Sequence, residues 1–154
     1  MKSLELKVPP LLQVLLFGVA MRLAGKFAPL GFDLSRDIRM AVFLACSSLA
    51  FMVALAGVIS FRRQKTTVNP VNPEAASSLV TGGIYQYTRN PMYLGFVIFL
   101  LGWGVWLTNI LALLLVPCFA LYMTRFQIMP EEKALEALFG ENFTSYKHSV
   151  RRWL

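Results

Sequence analysis

Between Arg39 and Arg62 the chain runs for 22 residues, 40–61, without a single charge. At 1.5 Å per residue a helix of that length covers about 33 Å, which matches a hydrocarbon core of about 30 Å. A second gap, between Arg89 and Arg125, holds 35 uncharged residues. As one helix it would be roughly 50 Å long, too long for one crossing. It predicts a hairpin instead. Thr108-Asn109 is the most polar point between Trp106 and Leu111 and serves as the turn, while Pro117 is expected to kink the returning helix. Upstream, the stretch from Pro9 to about Lys26 predicts a further helix, although Arg22 interrupts it. Lys2 and Lys7 ahead of an apolar run also resemble a signal peptide. An uncleaved span is preferred, because no A-x-A-like site follows and Arg22 can snorkel to the far interface. The expectation is an all-α integral membrane protein of about four transmembrane helices, with a C-terminal helical hairpin and an amphipathic tail helix. It forms one domain over residues 1–154, with two N-terminal helices in 1–61 and a loop, the hairpin and the tail in 62–154.

Composition agrees with that class. The chain is 56% apolar and 15% charged, whereas soluble domains are about 45–50% apolar and about 25% charged. Lys and Arg number 15 against 8 acids, a net charge of +7. In a soluble chain that excess suggests nucleic acid; here it reads as cytoplasmic loops, and no nucleic-acid partner is expected. Eleven of the 15 cations fall on the side shared by the N-terminus, the 62–90 loop and the tail, leaving Arg22, Lys26, Arg36 and Arg39 opposite. The first side, with both termini, is therefore read as cytoplasmic. Cys46 and Cys118 lie in uncharged stretches without metal-ligand spacing, and His148 stands alone, so no metal centre or His-based triad is expected.

Candidate chemistry gathers in the loop and the tail. Residues 62–90 form a 29-residue connection, and loops of that length in compact proteins are usually functional or disordered. Its first part is a basic flank and Asn-Pro turn material. Its last part, Leu79-Val80-Thr81-Gly82-Gly83-Ile84-Tyr85-Gln86-Tyr87, is too apolar and aromatic for disorder. Asn90-Pro91 then opens the third helix, with asparagine as N-cap and proline in the first turn. The first-turn amides of Met92 and Tyr93 make that helix start suited to a carboxylate or phosphate. Beyond the hairpin, Pro130 and the acids Glu131 and Glu132 open the tail helix, which stops at Gly140. Glu131 shares a face with Leu135 and Leu138 and is expected inward, where a carboxylate needs a cationic partner. Glu132 lines up with Glu136 and reads as solvated. An anion-binding helix start, tyrosines at 85, 87 and 93, and an inward glutamate together suit S-adenosylmethionine, which carries a carboxylate, an ammonium and a sulfonium group. Gly102-Trp103-Gly104 lies mid-helix and reads as helix packing, not as a dinucleotide loop.

At these residues the chain resembles the isoprenylcysteine carboxyl methyltransferase family and the related membrane phospholipid methyltransferases. The matching text is Leu79-Val80-Thr81-Gly82-Gly83-Ile84-Tyr85, then Tyr87-Thr88-Arg89-Asn90-Pro91-Met92-Tyr93-Leu94-Gly95, and Glu131-Glu132 with Phe139-Gly140-Glu141 and Tyr146. The resemblance covers about residues 62–154. It implies S-adenosylmethionine-dependent methyl transfer, with S-adenosylhomocysteine as product, to a lipophilic acceptor entering from the bilayer. It also implies roles for individual residues. Leu79 and Val80 would give backbone contacts to the adenosine or methionine part, Tyr85 and Tyr93 would line the cofactor pocket, Ser77 would belong to the same cofactor-binding set, Asn90, Pro91 and Met92 would hold the methionyl end, and Glu131 would take the ammonium. Eukaryotic members carry histidine in place of Asn90 and another near Ser77; the Arg-Asn-Pro-Met-Tyr form resembles prokaryotic members, implying a bacterial inner membrane. Gln127 stands where the carboxyl methyltransferases have an acceptor-orienting arginine, which makes Gln127 and nearby Arg125 the candidate acceptor residues. Were the acceptor an amine, Glu132 would be a candidate proton acceptor. Two other readings compete: a sterol-reductase-like enzyme using a nicotinamide cofactor, and a small non-catalytic membrane protein.

Overall fold

The computed structural model describes residues 5–28, 30–63 and 78–154. Among the described residues the chain is all helical, apart from one isolated bridge between Gly31 and Asn109. Helix α1 spans Pro10–Phe27 and α2 spans Arg36–Arg63. After a 3₁₀ turn at Gly83–Gln86 come α3 (Pro91–Leu107) and α4 (Ile110–Met123), the two arms of the hairpin. A π-helical segment, Thr124–Ile128, joins α4 to α5 (Met129–Phe139), and α6 covers Glu141–Ser149. Four apolar helices, α1 to α4, thus make this an all-α integral membrane protein.

The hairpin turns where the sequence places it. Thr108 takes a left-handed conformation (φ 48°), and the Asn109 side chain caps α4 by accepting from the Ala112 amide at 3.0 Å. Asn109 also donates to the Ala28 carbonyl at 2.9 Å. Ile110 N–H and Phe32 N–H bond to Leu30 and Thr108 carbonyls, stitching the α1–α2 connection to the turn at this end of the bundle. α4 continues through Pro117.

Helices α2 and α3 meet through small residues. A Cβ on Gly95 would lie 2.9 Å from the Ala50 carbonyl oxygen, and one on Gly102 would lie 2.6 Å from the Cys46 Cβ. In lipid there is no hydrophobic drive between helices, so this close backbone approach supplies the packing energy. Gly104 serves the other side, where a Cβ would meet Leu113 and Met21. The Gly-Trp-Gly triplet is therefore packing material. Helix α1 completes the bundle against α3 and α4, with Trp103 donating to the Gly18 carbonyl at 3.1 Å and Phe17 edge-on to Phe119 at 5.2 Å.

At the opposite end the tail departs from expectation, for it is not a separate helix after the hairpin. The helical run continues unbroken over Ile110–Phe139, 30 residues. Pro130 has no N–H for the Phe126 carbonyl, so the ladder shifts register through the π segment. The Phe126 carbonyl instead accepts from the Leu6 amide at 3.2 Å. The run is about 45 Å long, against about 30 Å of hydrocarbon. Its portion from Ile110 to Ile128 covers about 28 Å, so α5 with Glu131, Glu132 and Lys133 projects beyond the span. The N-terminal segment, the 78–90 loop and the tail all lie at this end.

Candidate active site

The 78–90 loop is held against two neighbours. Gly83 has φ 64°, and a Cβ there would sit 2.8 Å from the Ser60 Oγ, so glycine lets the loop hug the end of α2. Tyr85 is buried, edge-on to Phe61 at 5.4 Å, and its carbonyl accepts from the Tyr146 hydroxyl at 2.7 Å. Val80, Tyr85, Phe143 and Tyr146 form one buried cluster, with Leu79, Leu135 and Phe139 packed on it. The segment ahead of the hairpin and the segment after it thus share a core. Burial, with Tyr146 and Glu131 nearby, raises the Tyr85 pKa far above its ordinary value, so this ring is a neutral wall.

Two adjacent glutamates at the start of α5 meet opposite environments, because successive residues on a helix point about 100° apart. Glu131 receives neutral donors: the Tyr93 hydroxyl at 2.5 Å and the Gln127 amide at 2.7 Å, both on Oε1. Gln127 is one turn upstream and buried, and Tyr93 comes from the first turn of α3. Burial raises the Glu131 pKa to about 7, against the lowering effect of Tyr93 and Gln127. Among the described residues no cation pairs with Glu131. The expected cationic partner is therefore absent from that set, and the expected apolar stripe is broken at Leu138, which is 45% exposed.

Glu132 holds the cations instead. It is buried, not solvated as expected, with Arg89 Nη2 at 2.7 Å and Arg152 Nη2 at 2.6 Å. Burial works to raise the Glu132 pKa, but hydrogen bonds and charge from Arg152 and Arg89 outweigh it and hold the carboxyl below its ordinary value. A proton-accepting role for Glu132 does not fit this setting: its oxygens are occupied by guanidinium groups that stabilise the ionised form. Glu136, its helical neighbour, is the solvated one, paired with Lys147 at 3.3 Å.

Arg89 is the residue at this end of the bundle to which the sequence reading gave no role. Its guanidinium donates to Glu132 and to the Lys147 and Val150 carbonyls at 3.0 and 2.6 Å, and its amide donates to the Arg151 carbonyl at 3.1 Å. The signal was present in the sequence: a lone arginine between an aromatic loop and an Asn-Pro helix start, in a chain with few acids to pair it.

Of the other sequence-predicted residues, Asn90 stands at the N-cap position of α3 without capping it, because its side-chain amide donates to the Arg152 carbonyl at 2.9 Å. Pro91 and Met92 pack towards Gly57 of α2. Arg125 is not brought to Glu131; it is largely exposed and pairs with Glu5 at 2.8 Å, since two residues along a helix from Gln127 is nearly the opposite face. Ser77 lies outside the described residues. The arrangement joins a half-buried carboxylate, two tyrosines and an uncapped helix start, a set able to hold a ligand bearing both a cation and an anion. Among the described residues no group of His, Cys, Asp or Glu side chains is arranged to hold a metal.

Comparison with known proteins yields a match over residues 38–142 to the family model described as phospholipid methyltransferase, so the likeness begins within α2, earlier than the loop. The chain is 49% identical to an uncharacterized protein of Haemophilus influenzae over 63 residues, 41% of this chain and the whole of that protein. It is 40% identical over 75 residues, 47% of its length, to a protein-S-isoprenylcysteine O-methyltransferase of Schizosaccharomyces pombe, of which that covers 30%. It is also 33% identical over 102 residues, 64% of its length, to protein-S-isoprenylcysteine O-methyltransferase A of Arabidopsis thaliana, of which that covers 50%. No solved structure matches.

Proposed function

Because the chain belongs to the phospholipid methyltransferase family, and is a methyltransferase by that membership, we propose that it methylates a lipophilic acceptor dissolved in the bilayer, using S-adenosylmethionine. The acceptor nucleophile is a carboxylate, a thiol or an amine. One observation carries the reading: the first turn of α3 and the acidic start of α5 meet at Glu131, a half-buried, desolvated carboxylate with only neutral donors among the described residues. A desolvated carboxylate without a cation is costly unless a ligand supplies one.

The residues present fit such a donor. The Glu131 carboxylate would take the ammonium group, and the uncapped first-turn amides of α3 would take the carboxylate. Tyr85, packed with Leu79 and Val80, and Tyr93 are buried rings of the kind that would suit an onium neighbour. The bound cofactor supplies a sulfonium methyl group, displaced in line by the acceptor, with S-adenosylhomocysteine as product. What the protein contributes is alignment and the exclusion of water, so a general-base histidine is not required. Gln127, buried beside Glu131, is the acceptor-side residue that this geometry supports. Among the described residues, nine basic residues stand on the segments at the site's end of the bundle, against Arg22, Lys26, Arg36 and Arg39 elsewhere. That asymmetry supports a cytoplasmic site with both termini on the same side, and the likeness of the Arg-Asn-Pro-Met-Tyr segment to prokaryotic members favours a bacterial inner membrane.

Calorimetry of the detergent-purified chain with S-adenosylhomocysteine tests the reading. Binding is expected, and Glu131→Ala should weaken it at least about tenfold, the worth of one charge-assisted hydrogen bond. Equal affinity in both proteins would overturn the role of Glu131, and no binding by the unmodified chain would overturn the cofactor.

A further inference from the structure

Residues 150–153 follow α6 and make a set of contacts that the methyl-transfer reading does not use. The Val150 and Arg151 carbonyls accept from Arg89, the first from its guanidinium and the second from its amide. The Arg152 carbonyl accepts from Asn90 at 2.9 Å and from the Thr88 hydroxyl at 3.4 Å. The Arg152 guanidinium grips both oxygens of Glu132, at 3.0 and 2.6 Å, and the Trp153 indole donates to the Thr124 hydroxyl at 3.2 Å. Every one of these partners lies on the loop at 88–90 or on the helical run around Glu132.

We infer that Arg89, Glu132 and residues 150–153 form a clasp that fastens the pre-hairpin loop over the start of α5, with Arg152 a positioning residue for retention of the methyl donor. The inference rests on the donor-binding reading of Glu131 and adds a device to it. The Arg89 side chain, at 10% exposure, is the fixed half of the clasp, and Arg152, at 35%, is the half that solvent reaches. Guanidinium groups suit this task, since their planar forks satisfy carboxylate and carbonyl oxygens together.

The clasp also acts on the helix start through Asn90. In the fastened state the Asn90 amide is held by the strap, so no side chain caps α3. Its first-turn N–H groups stay available for the ligand carboxylate. Once the strap lets go, the Asn90 side chain can turn back to cap α3, as asparagine favours at this position, and then competes with the ligand for the same amides. Release of the clasp thus loosens the loop and fills the anion site in one step.

The test uses the full-length chain in detergent with S-adenosylhomocysteine as probe, comparing the unmodified protein with Arg152→Ala and Arg152→Lys. Hydrogen exchange without ligand reads the fastening directly: the Arg89 amide should exchange at least about tenfold faster in Arg152→Ala, the worth of one charge-assisted bond. The dissociation constant should rise about tenfold, chiefly through faster dissociation, and Arg152→Lys should recover part of both effects. Unaltered exchange and unaltered affinity in Arg152→Ala overturn the clasp. Faster exchange in that variant, with no probe binding by the unmodified chain, overturns the donor reading and the retention role with it, while the fastening itself stands.

Discussion

Adding one methyl group at Gly102 tests the packing that carries the site. The new Cβ would lie 2.6 Å from the Cys46 Cβ and 3.6 Å from the Phe43 Cα, whereas ordinary contact begins near 3.4 Å. Neither neighbour is the tip of a flexible side chain, so α2 has to retreat by about 1 Å, which forfeits a quarter to a half of the dispersion energy of each contact affected. Overpacking of this kind costs about 1–3 kcal/mol. Gly18 is the control, because a Cβ there meets nothing within 4 Å and both positions lie inside helices. The helix-propensity gain of alanine over glycine, up to about 1 kcal/mol, then cancels between the two variants. Gly102→Ala should therefore be about 1–3 kcal/mol less stable than Gly18→Ala, measured by SDS-induced unfolding in mixed micelles. Cys46→Gly removes the colliding atoms, so the double variant with Gly102→Ala should lose less than the sum of the singles. The displacement should also lower affinity for S-adenosylhomocysteine, because α2 supports Pro91 through Gly57 and the loop through Ser60. Equal stability of the two alanine variants, with no coupling to Cys46, would refute the reasoning.

Other outcomes follow from the charges. With the Glu131 pKa raised to about 7, the carboxylate needed for an ammonium is mostly ionised at about pH 8 and mostly protonated at about pH 6. Affinity for S-adenosylhomocysteine should fall about tenfold between those values in calorimetry, and Glu131→Gln should abolish the slope. Arg89→Lys should cost about 1–3 kcal/mol in the same unfolding assay, because one ammonium cannot span the Glu132 carboxylate and two carbonyls, and at least one of these acceptors loses its donor. Arg125→Ala should leave ligand affinity within about twofold, since its partner is Glu5 on an exposed surface and such pairs contribute at most about 1 kcal/mol. A large loss there would return Arg125 to the site.

Several parts of the site were legible because a local rule decides each. Thr108-Asn109 reads as a turn because it is the most polar point between Trp106 and Leu111, and the structure turns there, Thr108 taking the left-handed conformation and Asn109 capping the next helix. Glu131 reads as inward from its spacing to Leu135, and it is inward. The adjacent Glu132 defeats the same reasoning. Its face was judged against Glu136 on its own helix, whereas its partners are Arg89, 43 residues earlier, and Arg152, 20 residues later. Helical periodicity cannot report a partner contributed by another segment. Pro130 shows a milder form of this. Proline marks the point where the ladder is disturbed, but the π segment that lets the helix continue is anchored by Leu6 from the far end of the chain.

The amino-acid order alone determined the all-α membrane class, its apolar helices and the hairpin. Each of these follows from transfer of apolar residues into lipid and from the backbone's need to satisfy its own hydrogen bonds there, which are local or additive along the chain. Only the tertiary arrangement decided which glutamate meets neutral donors and which is locked by arginines, that Arg125 faces away, and that Asn90 leaves its helix uncapped. Those outcomes depend on distances between segments remote in sequence, and electrostatics and hydrogen bonding act over only a few ångströms.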